Sequence, residues 1–280
     1  MNIFVKENPI IAVSVVADSF SRAAPGYDGE PLQFLRSSAE FLVDSLALKK
    51  SPQKILDVAT GTGRAAILSA QAIQPDGFVT AVDISTGMLQ QAEQNASQAG
   101  IKNIQFSQAN AEQLEFEDNV FDMVLCSSGI YIMRNIPQCI SEWKRVVNRG
   151  GKVAFSTFGK GVLEPMMSMF ESSLSAYGVE IISPTPLYRL NTEENCRELL
   201  ESAGLNNIKI LTKQSGYYLP SAKEWLTLVN NSGFRFPLER LNKTYLNQFF
   251  EEHQAAISQL ATARGIYLEV PLIVAVGEKS

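Results

Sequence analysis

The sequence predicts a single α/β domain built around a mainly parallel sheet. Three observations support this prediction. From Lys54 to Phe158, short apolar runs alternate with helix-spaced apolar residues, a pattern typical of strands that alternate with helices. The 280 residues are 45% hydrophobic and 19% charged, as in soluble globular proteins and unlike disordered or coiled-coil chains. A chain of this length can also bury a sizeable core without disulfides.

Two strand-helix units open the predicted core. Residues 54–60 (KILDVAT) form a continuous apolar run that predicts a strand buried on both faces. The small residues at 63–73 predict the helix that follows. Residues 78–84 predict the second strand, and Ser85 is a suitable N-cap for a helix that ends at Gly100.

The rest of the chain is less regular. Further strands are predicted at 104–110, 120–128 and 152–158, a helix at 136–147, a capped helix at 192–203, and strand-like segments at 207–219 and 267–277. A Met-rich stretch and a proline-punctuated loop fill 159–190, and a helical pattern fills 221–265. We interpret both as insertions into the core.

The N-terminal fifty residues are predicted to cap this core. Residues 20–31 carry little strand or helix signal, whereas the five apolar residues Leu32, Leu35, Ala39, Val43 and Leu46 fall on one helical face. The domain is therefore divided into a cap (1–50), a ligand-binding core (51–158) and insertions at 159–190 and 221–265. Because α/β proteins bind ligands beyond the carboxyl ends of their strands, the insertions are expected to cover a substrate there.

Composition limits the compartment and the partners. The formal net charge of −5, without runs of like charge, argues against nucleic acid as a partner. Cys126, Cys139 and Cys196 are odd in number and widely spaced, which favours the reducing cytoplasm over a disulfide scaffold. The apolar run at 10–17 is too short to span about 30 Å of hydrocarbon. A strand or capping segment is expected there, and a cleaved leader is the alternative.

A glycine turn after the first strand is the strongest ligand signal. Gly61 and Gly63 allow a ligand to approach the backbone closely, at a helix start that favours negative groups. Read as G-x-G-x-x-A with Asp83 twenty residues later, the turn could hold a nicotinamide dinucleotide. Asp57 opposes that reading, because two like charges about 4 Å apart cost roughly 1 to 4 kcal/mol. It suits the positively charged S-adenosylmethionine instead.

Four successive motifs carry a family resemblance. ILDVATGTG, AVDIS, ANAEQLEFEDNVFDMVLCSS and RVVNRGGKVAFSTF resemble the motifs of class I S-adenosylmethionine-dependent methyltransferases, most closely those of quinone biosynthesis and other small-molecule pathways. The similarity covers residues 53–158, with a weaker match at FSRAAPGYD. It implies a Rossmann-like sheet of seven strands, the last antiparallel, and S-adenosylmethionine as the cofactor. Ala59 and Asn110 depart from the family's usual Gly and Asp.

The resemblance also implies a role for each residue of a cofactor site. Asp83 would accept both ribose hydroxyls, and Asp57 would lie near the amine. The other implied contacts are the backbone of Ala59, Thr60 and Gly61 with the methionine and ribose, Gly63 in the turn, Ile84 and Met88 on the adenine face, Asn110 and Ala111 on its edge, the Cys126 carbonyl on the amine, and Tyr27 as a lid. For Met88, ordinary core packing is the alternative.

The implied reaction is methyl transfer to an O, N or C atom of a small apolar or aromatic molecule. Aligning the acceptor and excluding water suffice for much of this chemistry. Tyr27, Tyr131 and His253 are the candidate catalytic residues. His253 is the only histidine, and a packed or solvated position on a helix is the favoured interpretation of it. No metal is expected. A nicotinamide oxidoreductase, a methyltransferase for tRNA or protein, and a non-catalytic adenosyl sensor are the alternatives.

Overall fold

The computed structural model describes residues 12–50, 52–181 and 185–280. A seven-stranded sheet has the order β3-β2-β1-β4-β5-β9-β6. Its strands are β1 (Lys54–Val58), β2 (Phe78–Asp83), β3 (Ile104–Gln108), β4 (Phe121–Ser127), β5 (Val147–Phe158), β6 (Asn206–Gln214) and β9 (Pro271–Glu278). β9, the last strand of the chain, runs antiparallel to both of its neighbours. The seven-stranded, mainly parallel sheet with an antiparallel last strand is thereby confirmed.

Ten helices are described. They are α1 (Val13–Ala23), α2 (Gln33–Ser45), α3 (Arg64–Ala72), α4 (Thr86–Gln98), α5 (Ile136–Val146), α6 (Met166–Ala176), α7 (Glu193–Ser202), α8 (Ala222–Asn230), α9 (Arg235–Leu238) and α10 (Leu246–Ser258). Ser85 caps α4 by accepting a hydrogen bond from the Met88 N–H, as its position predicts. Thr192 caps α7 in the same way.

Three large hydrophobic clusters hold most of the elements together, and a small fourth one joins Ala23 and Ala24 to Met88 of α4. One packs α2 and α3 against the sheet through residues such as Leu42 and Ile55. A second packs α5 and α7 through fully buried side chains that include Trp143 and Leu199. The third joins α6, α8 and α10 to residues at the start of α2, and it forms a separate cover beyond β5. Burial of these apolar surfaces is the main stabilising contribution to the fold.

Of the two alternatives for residues 10–17, the strand is wrong where it can be compared, while a segment that packs on the domain is what the structure contains. Residues 13–17 belong to α1 rather than to a strand, and residues 10 and 11 lie outside the described part of the chain. Ser19 and Ala23 are buried on one face of α1, at the four-residue spacing of a helix. The segment without apparent structural signal holds the end of α1 and two short 3-10 turns, at residues 24–26 and 30–32.

Each strand-like segment near the C-terminus splits in two. After β6 the chain forms β7 (Tyr217–Leu219), which pairs antiparallel with β8 (Ile266–Leu268) in a separate two-stranded sheet. Gly216 separates β6 from β7 and lies against the Tyr267 hydroxyl, where a side chain would collide. The change of sheet therefore depends on a contact about fifty residues away along the chain, which local periodicity does not report.

Candidate active site

A cavity of about 120 Å³ opens beyond the carboxyl ends of β1, β2 and β4. We call it the glycine-turn cavity. Its walls contain eight of the twelve predicted cofactor residues: Tyr27, Ala59, Gly61, Asp83, Ile84, Met88, Asn110 and Ala111. The other four, Asp57, Thr60, Gly63 and Cys126, are not among the lining residues. The structure therefore brings most of the predicted set to one cavity.

The turn between β1 and α3 adopts left-handed backbone conformations at three positions. Gly61 has φ +55° and Gly63 has φ +84°, values that glycine adopts without steric cost. Ala59 has φ +53°, so the alanine found in place of the family's glycine retains a conformation that costs about 1 to 2 kcal/mol for an L-residue. The loop remains closed, with the Thr60 N–H donating to the Val82 carbonyl at 3.0 Å.

Asp83 is oriented by the backbone of that turn. Its Oδ2 accepts from the Gly61 N–H at 2.8 Å and its Oδ1 from the Ser85 N–H at 2.9 Å. Burial raises the pKa of Asp83, and the two amide bonds oppose that effect. Each carboxylate oxygen retains further acceptor capacity toward the cavity. The arrangement suits a pair of adjacent hydroxyl donors.

Asp57 lies behind the lining and is fully buried. Its Oδ2 accepts from the Thr60 hydroxyl at 2.6 Å, while its Oδ1 has no hydrogen-bond partner among the described residues. Burial raises the pKa of Asp57 to about 7. An unpaired carboxylate oxygen beneath the turn fits a positively charged ligand and disfavours a phosphate. The residues present therefore fit S-adenosylmethionine.

Helix α1 forms a wall of the cavity that the sequence analysis missed. Val13, Val16 and Phe20 line the cavity at helical spacing. The Ser21 and Ser85 hydroxyls are 2.8 Å apart and tie α1 to the cap of α4. At Gly87, an added Cβ would lie 2.8 Å from the Ser21 Cα, so glycine permits this close approach. The three-to-four residue spacing of the apolar side chains was the available signal.

The end of β4 and the loop after it add a second missed wall, formed by Ser127, Ser128 and Gly129. The Ser128 hydroxyl donates to Ser38 at 2.7 Å, and the Ser38 hydroxyl donates to Ser156 at 2.9 Å. These buried bonds join the loop to α2 and β5. Hydroxyl networks between distant elements leave no periodic trace in a sequence, and no signal there would have identified them.

A second, larger cavity of about 170 Å³ adjoins the first. We call it the apolar chamber. Its lining comes mainly from three parts of the chain, at positions 16–35, 167–187 and 232–240, with Tyr131, Ile132 and Arg134 from the core. Most of the lining side chains are aliphatic or aromatic, among them Phe34, Met167 and Phe170. Such a lining suits an apolar ligand.

The two cavities share part of their walls. Val16, Phe20, Tyr27, Ile132 and Arg134 line both. The Tyr27 segment is held in place by the next residue, Asp28, which accepts hydrogen bonds from Thr62 at 2.7 Å and from Asn95 at 2.8 Å. The two cavities therefore adjoin at these shared side chains.

Tyr27 and Tyr131 are both in the chamber wall, as their candidate roles require. Burial raises the pKa of each phenol above its ordinary value; the carboxylates of Asp83 and Asp28 add to the effect at Tyr27. Both phenols are therefore neutral at physiological pH and can donate or accept a hydrogen bond. They are not poised to act as phenolate bases.

His253 lies outside both cavities. It is 1% exposed, its Nε2 accepts from the Trp225 Nε1–H at 2.9 Å, and its Nδ1 lies 3.0 Å from the Ser173 hydroxyl. Burial lowers the pKa of His253 to about 4. The packed interpretation is therefore correct, and direct contact of His253 with a substrate is not supported, because both ring nitrogens are engaged in the cover.

The described residues offer neither a metal-binding cluster nor a membrane-spanning helix. Within the described ranges, no three His, Cys, Asp or Glu residues are grouped so that they could hold a metal ion. None of the helices in that part of the chain is long and apolar enough to cross a membrane. Cys126, Cys139 and Cys196 are free and buried, and burial raises the pKa of each thiol. All three are therefore unreactive packing residues.

Comparison with known proteins identifies related sequences. A family model described as a methyltransferase domain matches residues 49–223. A malonyl-[acyl-carrier protein] O-methyltransferase of Geobacter sulfurreducens is 28% identical over 218 residues, which cover 78% of this chain and 80% of the relative. A ubiquinone/menaquinone biosynthesis C-methyltransferase of Pasteurella multocida is 29% identical over 205 residues, which cover 71% and 75% of the two chains.

Solved structures share the fold. The YcgJ protein of Bacillus subtilis superimposes with a TM-score of 0.59 at 17% identity, covering 87% of this chain and 98% of that protein. A phosphoethanolamine N-methyltransferase 2 of Haemonchus contortus gives a TM-score of 0.58 at 17% identity, covering 97% of this chain and 61% of that one. At this level of identity the likeness shows the Rossmann-like fold alone.

Proposed function

Because the chain belongs to the family of methyltransferase domains and is a methyltransferase that uses S-adenosylmethionine, we propose that its acceptor is a small apolar or aromatic molecule bound in the apolar chamber. The methyl group would pass to an O, N or C atom of that molecule. The related O- and C-methyltransferases are named for different acceptors, so their names do not specify the atom methylated here.

The shared wall is the observation that carries this proposal. Tyr27 and Ile132 line both cavities, so ligands in the two cavities would meet there. Methyl transfer requires the acceptor atom in line with the methyl group at about 3 Å, with water excluded. A mainly apolar chamber that adjoins the glycine-turn cavity would favour both requirements.

The geometry of the turn supports the cofactor contacts that the family resemblance implies. When bound, S-adenosylmethionine supplies a methyl group that its sulfonium centre makes electrophilic. We assign Asp83 to the ribose hydroxyls and Asp57 to the positively charged methionine end. Ile84 and Met88 would pack on the adenine face, and Asn110 and Ala111 would hydrogen-bond to its edge. The backbone of Ala59, Thr60 and Gly61, together with the Cys126 carbonyl, would hold the methionine and ribose.

The chamber's phenols would position the acceptor rather than remove its proton. The raised pKa values of Tyr27 and Tyr131 keep both hydroxyls protonated at neutral pH. Each can hydrogen-bond to an acceptor atom, and the rings exclude water from the shared wall. An acceptor that is already nucleophilic, such as an amine or an electron-rich carbon, is the best match to this chemistry.

The domain division is part of the proposal. The cap (1–50) and the insertions (159–190 and 221–265) each contribute side chains to the chamber, including Phe34, Phe170 and Phe236. This supports their assignment as a substrate cover around the cofactor-binding core (51–158). The three free cysteines support a cytoplasmic location, and the acceptor is the only partner that we propose.

Filling the chamber tests the proposed acceptor site. Leu35 is a half-buried lining residue, so Leu35→Trp should obstruct the chamber. We expect at least tenfold slower transfer of labelled methyl to acceptors from an apolar metabolite extract, with S-adenosylhomocysteine affinity within twofold of wild type. Leu211→Trp, at a 40% exposed residue of β6, is the matched control. Unchanged transfer by Leu35→Trp would contradict the proposal.

A further inference from the structure

The charged side chain of Arg189 holds backbone carbonyls rather than a carboxylate. Its Nη1 donates to the Tyr131 carbonyl at 3.3 Å and to the Met133 carbonyl at 2.5 Å, and its Nη2 donates to the Arg134 carbonyl at 3.3 Å. No ion pair in the described part of the chain includes Arg189. The side chain is half-buried, and burial lowers the pKa of Arg189. A partly desolvated cation with neutral partners costs free energy, so the arrangement calls for a role other than charge pairing.

The three carbonyls belong to a segment that lines both cavities. We call residues 131–134 the junction loop. Tyr131 lies in the wall of the apolar chamber, Met133 in the wall of the glycine-turn cavity, and Ile132 and Arg134 in both walls. The loop begins within a short 3-10 turn, Ile130–Ile132. Carbonyls at the end of a helical turn have no donor within that turn, and Arg189 supplies donors from another part of the chain.

A second contact holds the junction loop from the cofactor side. The Glu112 Oε1 accepts from the Arg134 N–H at 2.7 Å. Glu112 lines the glycine-turn cavity, and its own N–H donates to the Asn110 Oδ1 at 3.0 Å, where the adenine edge is proposed to lie. The junction loop is therefore fixed between the cofactor side, through Glu112, and Arg189.

Arg189 itself belongs to the cover. It follows the 3-10 turn Pro186–Tyr188, and the nearby residues Thr185, Pro186 and Leu187 line the apolar chamber. The Arg189 N–H donates to the Pro186 carbonyl at 3.1 Å, so the arginine and this part of the chamber wall form one compact turn. A movement of the junction loop is thereby linked to a movement of the chamber wall.

We propose that Arg189 is a positioning residue for methyl transfer, whose three hydrogen bonds keep the junction loop in the common wall of the two cavities and so couple cofactor binding to the cover. The planar guanidinium presents several donors in a fixed geometry that lysine lacks. This inference rests on the proposed use of the apolar chamber as the acceptor site. It adds a residue that lines neither cavity and on which the transfer rate should nonetheless depend.

Hydrogen exchange measures the coupling. In wild type, saturating S-adenosylhomocysteine should slow amide exchange at residues 131–134 and at residues 185–190 by about fivefold or more. In Arg189→Met, the slowing should persist at 131–134 and be lost at 185–190. Arg197→Met, at an exposed arginine of α7, should behave as wild type. Equal slowing of 185–190 in Arg189→Met and wild type, or none in wild type, would overturn the coupling.

Methyl transfer supplies the second measurement. With S-adenosylmethionine saturating, so that cofactor affinity does not limit the rate, Arg189→Met should transfer labelled methyl to acceptors from the apolar extract about tenfold more slowly, because charge-assisted hydrogen bonds are lost. Arg189→Lys keeps the charge without the fork of donors, so its rate should be intermediate. It replaces Arg189→Met in both measurements if that variant does not fold.

A merely structural role predicts a lowered Tm with an unchanged transfer rate of the folded protein, and that result would overturn the inference. Unchanged transfer in Arg189→Met with slower transfer in Leu35→Trp would overturn it while leaving the chamber proposal intact. Unchanged transfer in both variants would remove both proposals.

Discussion

The buried carboxyl of Asp57 should couple cofactor binding to pH. Its pKa is raised to about 7 in the free protein, and a bound cation would lower that pKa. Binding would then release a proton, so the affinity for S-adenosylmethionine should rise from pH 5 to pH 7, by at most tenfold per pH unit. Asp57→Asn should weaken binding at pH 7 and flatten the profile. Calorimetry at several pH values measures both effects, and an equally steep profile in Asp57→Asn would rule out this coupling.

Ala59 and Gly129 form a tight pair at the base of the glycine-turn cavity. A Cβ added to Gly129 would lie 2.9 Å from the Ala59 Cβ and 3.1 Å from the Cys126 Sγ. Gly129→Ala should therefore lower the free energy of unfolding by about 1 to 3 kcal/mol through overpacking. Ala59→Gly removes one of the clashing atoms and relieves the left-handed conformation, so it should recover part of that loss in the double variant. Denaturant titration of the four proteins tests this, and purely additive effects would contradict the pairing.

At the scale of elements, α1 is expected to hold the glycine-turn cavity closed. The Ser21–Ser85 hydrogen bond is its tie to the cofactor side. Losing one such bond costs about 1 kcal/mol, so Ser21→Ala should weaken S-adenosylhomocysteine binding about fivefold with little change in Tm. Ser14→Ala, at an exposed serine of the same helix, is the matched control. Equal affinity of Ser21→Ala and wild type would argue against a closing role for α1.

The elements that the sequence predicted well are those with complete local signals. The helix after Ser85 has a capping hydroxyl and a glycine beyond its end, and α4 begins and ends close to its predicted limits. Helix α1 lacks such signals, because Ala12 precedes it without a side-chain cap. Its first turn also lies within the apolar run at 10–17. The strand alternative failed there because a short run of apolar residues is compatible with either a strand or a buried helical segment, and the three-to-four residue spacing that favours the helix extends beyond the run to Phe20.

At the scale of the molecule, strand order could be used to place residues at one edge of the sheet, but contacts between distant segments could not be predicted. The glycine turn and Asp83 could be placed together because they follow strands of a parallel sheet, whose carboxyl ends share one edge. Asn110 was implied by the family resemblance. The placement of His253 could not be predicted, since it depends on Trp225 and Ser173, which are 28 and 80 residues away in sequence. The three hydrogen bonds of Arg189 likewise join segments that are 55 to 58 residues apart.

The central claim is that the glycine-turn cavity holds S-adenosylmethionine through Asp83. Calorimetric titration of S-adenosylhomocysteine into wild type and Asp83→Ala tests it most directly, with NADH as the competing ligand. We expect wild type to bind S-adenosylhomocysteine and not NADH, and Asp83→Ala to lose about 1.5 to 3 kcal/mol of binding free energy, from charge-assisted hydrogen bonds. Unchanged affinity in Asp83→Ala, or binding of NADH in place of S-adenosylhomocysteine, would contradict the account.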